Sequence, residues 1–273
     1  MPSSASITEH HVVFGQERPG ALLVPLRHLG GAPPVETWES NGDLFFGSVV
    51  AEEDRPLEEV SRELYARVIA DVRNAGFPYF VRMWNYVGGI NEYDGGQERY
   101  KLFCAGRHDA FVDAGYHHDV DLPAASAVGM RGRGVITYFL AAREPGTQVE
   151  NPRQVAAYNY PPQYGVKSPS FSRATVWNGT VFVSGTSSVV GHATAHAEDV
   201  AAQLDETLRN IDAVLGQTGR TLANLTSAKT YIRRASDYDV ISQRLGGALP
   251  NNIFVEADIC REELLLEIEA VAR

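Results

Sequence analysis

Apolar and polar positions alternate along the chain in a way that predicts the same succession of elements twice. Asp43-Leu-Phe-Phe-Gly-Ser-Val-Val50 and Thr180-Val-Phe-Val-Ser-Gly-Thr-Ser187 are apolar runs that pass into small residues, which predicts a strand in each case. Behind the first, Val60, Leu64, Val68 and Val72 recur every four residues; behind the second, Val200, Leu204, Leu208, Ile211 and Leu215 fall at spacings of four and three. Those periods gather the apolar side chains on one stripe of a helix. Both stripes stop at a glycine, in Ala75-Gly76 and Thr218-Gly219. A strand follows in each half, Tyr79 to Tyr86 and Ala228 to Arg233, then a second helical segment, Cys104 to Ala114 and Tyr238 to Leu245. Val135 to Ala142 and Leu264 to Val271 read as the closing strands. The copies are offset by about 130 to 150 residues. Strand, helix, strand, helix, strand predicts an α+β protein of two units, 1–150 and 151–273, each a sheet with helices on one face. Between them Glu144 to Ser170 carries prolines at 145, 152, 161, 162 and 169, which predicts an ordered connecting loop.

Composition narrows the function. With 273 residues, 44% of them hydrophobic, the chain can bury a full core. No stretch approaches the roughly 18 uninterrupted apolar residues of a membrane span. The first twenty residues lack the basic and apolar regions of a secretory leader, so the cytoplasm is expected. A net charge of −10 argues against nucleic acid or an anionic membrane as partner. It leaves room for a small anionic substrate held by arginines inside a cleft. The cysteines, Cys104 and Cys260, are too few for a disulfide framework and are expected as free thiols. His192 and His196 have no third ligand nearby, so no metal is expected, and His117-His118-Asp119 reads as a loop. Gly88-Gly89 and Gly95-Gly96 have no phosphate-cradling context, so no nucleotide or other cofactor is expected.

Several segments resemble the Rid/YjgF family: Pro169-Ser-Phe-Ser-Arg-Ala174, Val181-Phe-Val-Ser-Gly185, the helix from Glu198, and the Val255-Glu256 to Glu267-Ile-Glu-Ala270 ending. The duplicated form is similar to the chorismatases. It carries Arg82-Met-Trp-Asn-Tyr86, Glu98-Arg-Tyr-Lys-Leu-Phe-Cys-Ala-Gly-Arg107, Glu150-Asn-Pro-Arg-Gln154 and Ala257-Asp-Ile-Cys-Arg261. That resemblance begins near residue 40. It implies two Rid/YjgF-like, chorismate mutase-like units, each a mixed sheet with helices on one face. It also implies cleavage of chorismate to pyruvate plus a dihydroxycyclohexadiene carboxylate or a hydroxybenzoate. Rid proteins are usually trimers with sites between subunits, so a monomer or a homotrimer is expected.

Candidate site residues come from both sources. Along Leu264 to Val271, alternation puts Leu265, Glu267, Glu269 and Val271 on one face. The pattern alone leaves open a solvated strand face or a dry cleft in which desolvation and like charge raise one pKa. The resemblance makes Glu267 the acid that protonates the enolpyruvyl methylene, with Glu269 a lesser candidate. It also makes Tyr100 and Arg107 substrate-holding residues. Cys260 matches a position where chorismatases that form 3-hydroxybenzoate carry cysteine, so that product is expected, with hydrolysis to the dihydrodiol second and 4-hydroxybenzoate third. From the residues themselves, Lys229, Tyr231 and Arg233 project opposite Ala228, Thr230 and Ile232. Arg233 is therefore preferred to Arg234 as a second carboxylate fork. Tyr158, in the proline-stiffened cluster with Tyr160 and Tyr164, is a candidate for a substrate hydrogen bond. A Rid-type enamine or imine deaminase is the competing enzyme, but Asn252 stands where those proteins use arginine, and an amide cannot replace that fork. A non-catalytic binding module would have no need of the acid.

Overall fold

The doubled pattern folds into two sheets of one plan. The computed structural model describes residues 43–273 in full, and before them the backbone of strands Ala5–Ile7, Val12–Phe14, Leu26–His28 and Glu36–Ser40. The expected lack of a leader over residues 1–20 therefore lies largely outside the described residues. The first unit runs β1 (Glu36–Ser40), β2 (Leu44–Ala51), α1 (Leu57–Asn74), β3 (Tyr79–Gly88), α2 (Arg99–Asp113), β4 (Ala124–Met130) and β5 (Val135–Ala142). The second repeats the order with β6 (Ala174–Trp177), β7 (Thr180–Thr186), α3 (Val200–Gly216), β8 (Leu225–Ile232), α4 (Tyr238–Leu245), β9 (Asn252–Glu256) and β10 (Leu266–Ala272). The sheet orders correspond: β1-β2-β5-β3-β4 and β6-β7-β10-β8-β9.

In each sheet β3 with β4, or β8 with β9, is a parallel pair, and the remaining neighbours within these ten strands are antiparallel. The parallel pairs are those joined through α2 and α4, since a parallel connection must cross over the sheet. Thr147–Val149 pairs with β6 and Val12–Phe14 with β9, so short strands from residues 1–150 extend the second sheet to seven strands.

Strands β4 and β9 were not foreseen from the pattern. In β4 nearly every residue is buried, so no polar face marks a period of two. Helix α2 begins at Arg99, ahead of the expected Cys104.

The helical stripes bury as their spacing requires. Leu64, Val68 and Val72 of α1 join Phe45, Met83, Phe103, Phe111 and Phe139 in the first core, and Val60 is buried as well. Gly106 lets α1 and α2 approach, because a Cβ there would lie 2.1 Å from the Glu58 carbonyl oxygen. Leu204, Ile211 and Leu215 of α3 pack on Val183, Ile232, Leu266 and Ile268 in the second core. Asp199 caps α3 by accepting from the Ala202 N–H.

With helices covering one face, the other faces of the two sheets meet. Tyr86, Val128 and Tyr138 of the first unit pack there against Tyr231, Val255 and Leu264 of the second. The Ala125 N–H donates to Ser184 Oγ and the Ala124 N–H to Thr175 Oγ1, each at 2.8 Å, tying β4 to the second unit. Among the described residues no helix is long and apolar enough to cross a membrane.

Candidate active site

Strand β10 sorts its side chains by alternation. Leu266, Ile268 and Ala270 enter the core beneath α3, while Glu267 and Glu269 enter the interface between the sheets. Both acids are buried, at 4% and 7% exposure, so the face is dry rather than solvated. Their surroundings differ sharply. Glu269 Oε2 accepts from Arg82 Nη2 at 2.7 Å and from Ser126 Oγ at 2.6 Å, and Oε1 accepts from Trp84 Nε1 at 2.9 Å. Burial pushes the Glu269 carboxyl up, but Arg82, Lys229 and these donors outweigh it and hold it below its ordinary value. Glu267 Oε1 is buried with no hydrogen-bond partner. Burial, then the charge of Glu269, push Glu267 up to about 8 against the opposing effect of Arg82 and Ser187. One strand face thus presents a fixed anion and, at neutral pH, a neutral acid with a free oxygen.

Glu267 opens into a cavity of about 310 Å³ whose walls come from both units. From α2, Tyr100, Cys104 and Arg107 line it; they are spaced i, i+4, i+7 and so share one stripe. Arg107 is only 3% exposed, yet its Nε has no hydrogen-bond partner and its Nη2 donates only a long bond to the Met83 sulfur at 4.0 Å among the described residues. Its guanidinium lies 5.1 Å from the Tyr65 ring centroid and 5.5 Å from that of Phe111. A buried cation packed on aromatic rings, with no salt bridge to an acid among the described residues, has the charge and the planar fork to receive a carboxylate.

Two more arginines face the same space. Arg173 donates from Nη2 to the Val155 carbonyl and to Tyr160 OH, both at 2.8 Å, while its Nε is unpartnered. Arg261 stacks 4.1 Å from the Tyr164 ring centroid and donates to the His192 carbonyl at 2.9 Å. Burial raises the thiols of Cys104 and Cys260 to about 12 and the Tyr100 phenol well above its ordinary value. All three are therefore neutral hydrogen-bonding or packing groups at physiological pH, and neither cysteine is a thiolate nucleophile.

Of the residues expected from sequence, Glu267, Cys260, Tyr100 and Arg107 are brought together here. Arg233 is not. It donates to the carbonyls of Leu264, Ile259 and Arg261 and to the side chains of Asn91 and Asp258, so its donors pin the loop that carries Cys260 and Arg261. The expected projection fails because β8 ends at Ile232, and beyond a strand's end alternation no longer sets direction. Arg234 is exposed and also outside the cavity. Tyr158 packs on the first core, and its neighbours Tyr160 and Tyr164 line the cavity instead. A 3-10 turn at Ala157–Asn159 separates them in direction. Asn252 accepts from Thr230 Oγ1 at 3.0 Å, away from the cavity. His192 Nδ1 lies 3.2 Å from Tyr164 OH, and no group of three His, Cys, Asp or Glu among the described residues could hold a metal.

Arg173 and Arg261 went unselected although both sit inside the quoted motifs. Cys104 was expected only as a free thiol; a helix begun at Arg99 puts it on the i, i+4, i+7 stripe with Tyr100 and Arg107. Gly185 of β7 is also part of the site: a Cβ there would lie 2.0 Å from Glu267 Oε1. Gly185→Ala should displace the Glu267 carboxyl and lower kcat by on the order of ten- to a hundredfold in a folded protein, since displacements of about 1 Å cost that much. A crystal structure of the variant with Glu267 unmoved, together with an unchanged kcat, would refute this.

A family model described as chorismatase FkbO/Hyg5-like, N-terminal, matches residues 30–141. One described as endoribonuclease L-PSP matches residues 166–273. A 3-hydroxybenzoate synthase of Streptomyces hygroscopicus is 36% identical over 257 residues, covering 86% of this chain and 75% of that protein. A chorismatase of the same species is 36% identical over 264 residues, covering 87% and 76%. A chorismatase crystal structure superposes with a TM-score of 0.81 at 34% identity, covering 88% of this chain and 80% of the other.

Proposed function

The chain belongs to the chorismatase family, and on that premise we propose that it cleaves the enolpyruvyl ether of chorismate to pyruvate and 3-hydroxybenzoate. The observation that carries this reading is the neutral Glu267, with its Oε1 unpartnered, at the wall of a cavity that three arginines also line. An enol ether is cleaved by protonating its terminal methylene carbon, which creates an oxocarbenium ion and requires an acid that is still protonated near neutral pH. Glu267 delivers that proton. Arg107 and Arg173 grip the two carboxylates of the substrate, and the Tyr100 phenol donates to one of its oxygens.

The path then divides. When the neighbouring ring hydroxyl oxygen attacks the ring carbon that bears the ether, the carbon–oxygen bond breaks and pyruvate leaves; the resulting arene oxide opens to 3-hydroxybenzoate. When water adds to the oxocarbenium carbon instead, the dihydrodiol remains. Cys260 lines the cavity as a protonated, compact thiol, and it supports the first path by occupying volume that water would need. A change of about 1.4 kcal/mol at one wall residue shifts such a partition tenfold.

Incubation with chorismate, with pyruvate assayed and the aromatic products separated by chromatography, tests the reading. Wild type should yield 3-hydroxybenzoate, and Cys260→Ala should raise the dihydrodiol fraction about tenfold. Dihydrodiol alone from wild type would make the protein a hydrolase, 4-hydroxybenzoate would make it a lyase of the third kind, and no pyruvate would end the proposal. The free thiols Cys104 and Cys260 support placing the reaction in the reducing cytoplasm.

A further inference from the structure

The ion pair between Arg82 of β3 and Glu269 of β10 is buried where the two units meet, with side-chain exposures of 2% and 9%. Neither residue lines the cavity, so neither touches substrate. Stability does not account for the pair, because buried ion pairs are commonly no more stable than apolar residues of the same volume. Yet Glu269 is held from several sides at once, by Arg82, Ser126, Trp84 and, at 3.3 Å, Tyr231 OH. Ser126 links the pair to the site. It donates to Glu269, accepts from the Gly185 N–H at 3.1 Å, and reaches the cavity wall beside the Glu267 carboxyl.

We propose that Arg82 and Glu269 are a positioning pair that sets the proton affinity of Glu267, the anion holding the proton on the acid and the cation limiting how tightly. This rests on Glu267 being the acid of the reaction. The charged and titratable groups facing Glu267 among the described residues are Glu269 on its own strand, Arg82 from β3, its register partner Tyr231 from β8, and Cys260 from the loop before β10, while Tyr100, Cys104 and Arg107 of α2 and Arg173 and Arg261 line the same cavity. Ser126 of β4 and Ser187 after β7 are the nearby hydroxyls. Glu267 and Glu269 are two residues apart on one face, roughly 7 Å along the strand. In a dry interface a charge at that distance shifts a carboxyl by about one pH unit or more.

The test is the pH dependence of kcat/KM for pyruvate release, paired with a 13C NMR titration of the Glu267 carboxyl in substrate-free protein, assigned by its loss in Glu267→Gln. Activity needs protonated Glu267, so it falls as pH rises through the acid's pKa. Glu269→Gln removes the anion and leaves the cation, and should move that alkaline limb down by about one pH unit or more. Arg82→Gln leaves the anion unopposed and should move it up. Lys229→Met, whose amine lies 3.8 Å from Glu269 Oε1 at a quarter exposure, should move it up by less, and it serves if Arg82→Gln fails to fold. Opposite shifts, the same in kinetics and in the NMR titration, support the pair; a purely structural role would lower the plateau and leave the limb in place. Shifts in one common direction, or none in folded variants, overturn the proposal. If wild type released no pyruvate from chorismate, the functional reading would fall, while the NMR titration would still decide the role of the pair.

Discussion

Glu267→Gln should lower the rate of pyruvate release by on the order of 10² to 10⁴ while making the folded protein more stable at neutral and alkaline pH. Gln keeps the shape but has no proton to give, so the chemical step loses its acid. The stability gain follows from the same burial. In the folded chain Glu267 stands at about 8 against an ordinary 4.5, so the native state favours the protonated form. Its contribution is fully present below pH 4.5 and is lost as pH rises from there through about 8. Gln does not ionise, so the variant escapes that loss, and the gap widens to a few kcal/mol, about 1.4 per pH unit, across the window. Pyruvate kinetics and thermal melts of both proteins at pH 4.5 and 8.5 check the two halves. Wild-type turnover in the variant would remove Glu267 from the mechanism, and a stability gap that did not widen with pH would show that it is not buried as an acid.

The second large effect is expected at Arg107. A guanidinium that is 3% exposed and makes no salt bridge to an acid among the described residues is an uncompensated charge in the free enzyme. Such a charge lowers stability in the empty state and is relieved when a carboxylate arrives. Arg107→Ala should therefore weaken chorismate binding by roughly 2 to 5 kcal/mol, about 30- to several-thousandfold in Kd, with the fold retained. Arg107→Lys should restore little, since a point charge does not reproduce the planar fork seated on Tyr65 and Phe111. Calorimetric titration with chorismate, or with a dicarboxylate analogue that does not turn over, reads both. Unchanged affinity in folded Arg107→Ala would send the substrate carboxylate elsewhere, to Arg173 or Arg261.

What the sequence disclosed and what it hid divide along a physical line. Properties set by local period were legible: the α1 and α3 stripes and the shared face of Glu267 and Glu269; Tyr100 and Arg107 came from the resemblance instead. Period fails where burial is two-sided, which is why Ala124–Met130 carried no strand signal. It fails again past the end of an element, which is why Arg233 was expected in a cavity when it staples a loop instead. Convergence is hidden altogether. Arg82 and Glu269 are 187 residues apart, and Arg173 and Arg261 reach one cavity from separate loops, so only the meeting of the two sheets makes them neighbours.

That the cavity has one wall from each unit of a single covalent chain changes how its two sides relate. In an assembly of identical subunits every copy carries the same strand, so a change to that strand is repeated at every position it occupies. Here β5, the counterpart of β10, turns Tyr138 and Ile136 toward the interface and offers no acid. The duplicated strand was free to lose or gain a carboxylate independently of its twin. The encounter of the two walls is also intramolecular, so dilution cannot take them apart as it does subunits that must find each other.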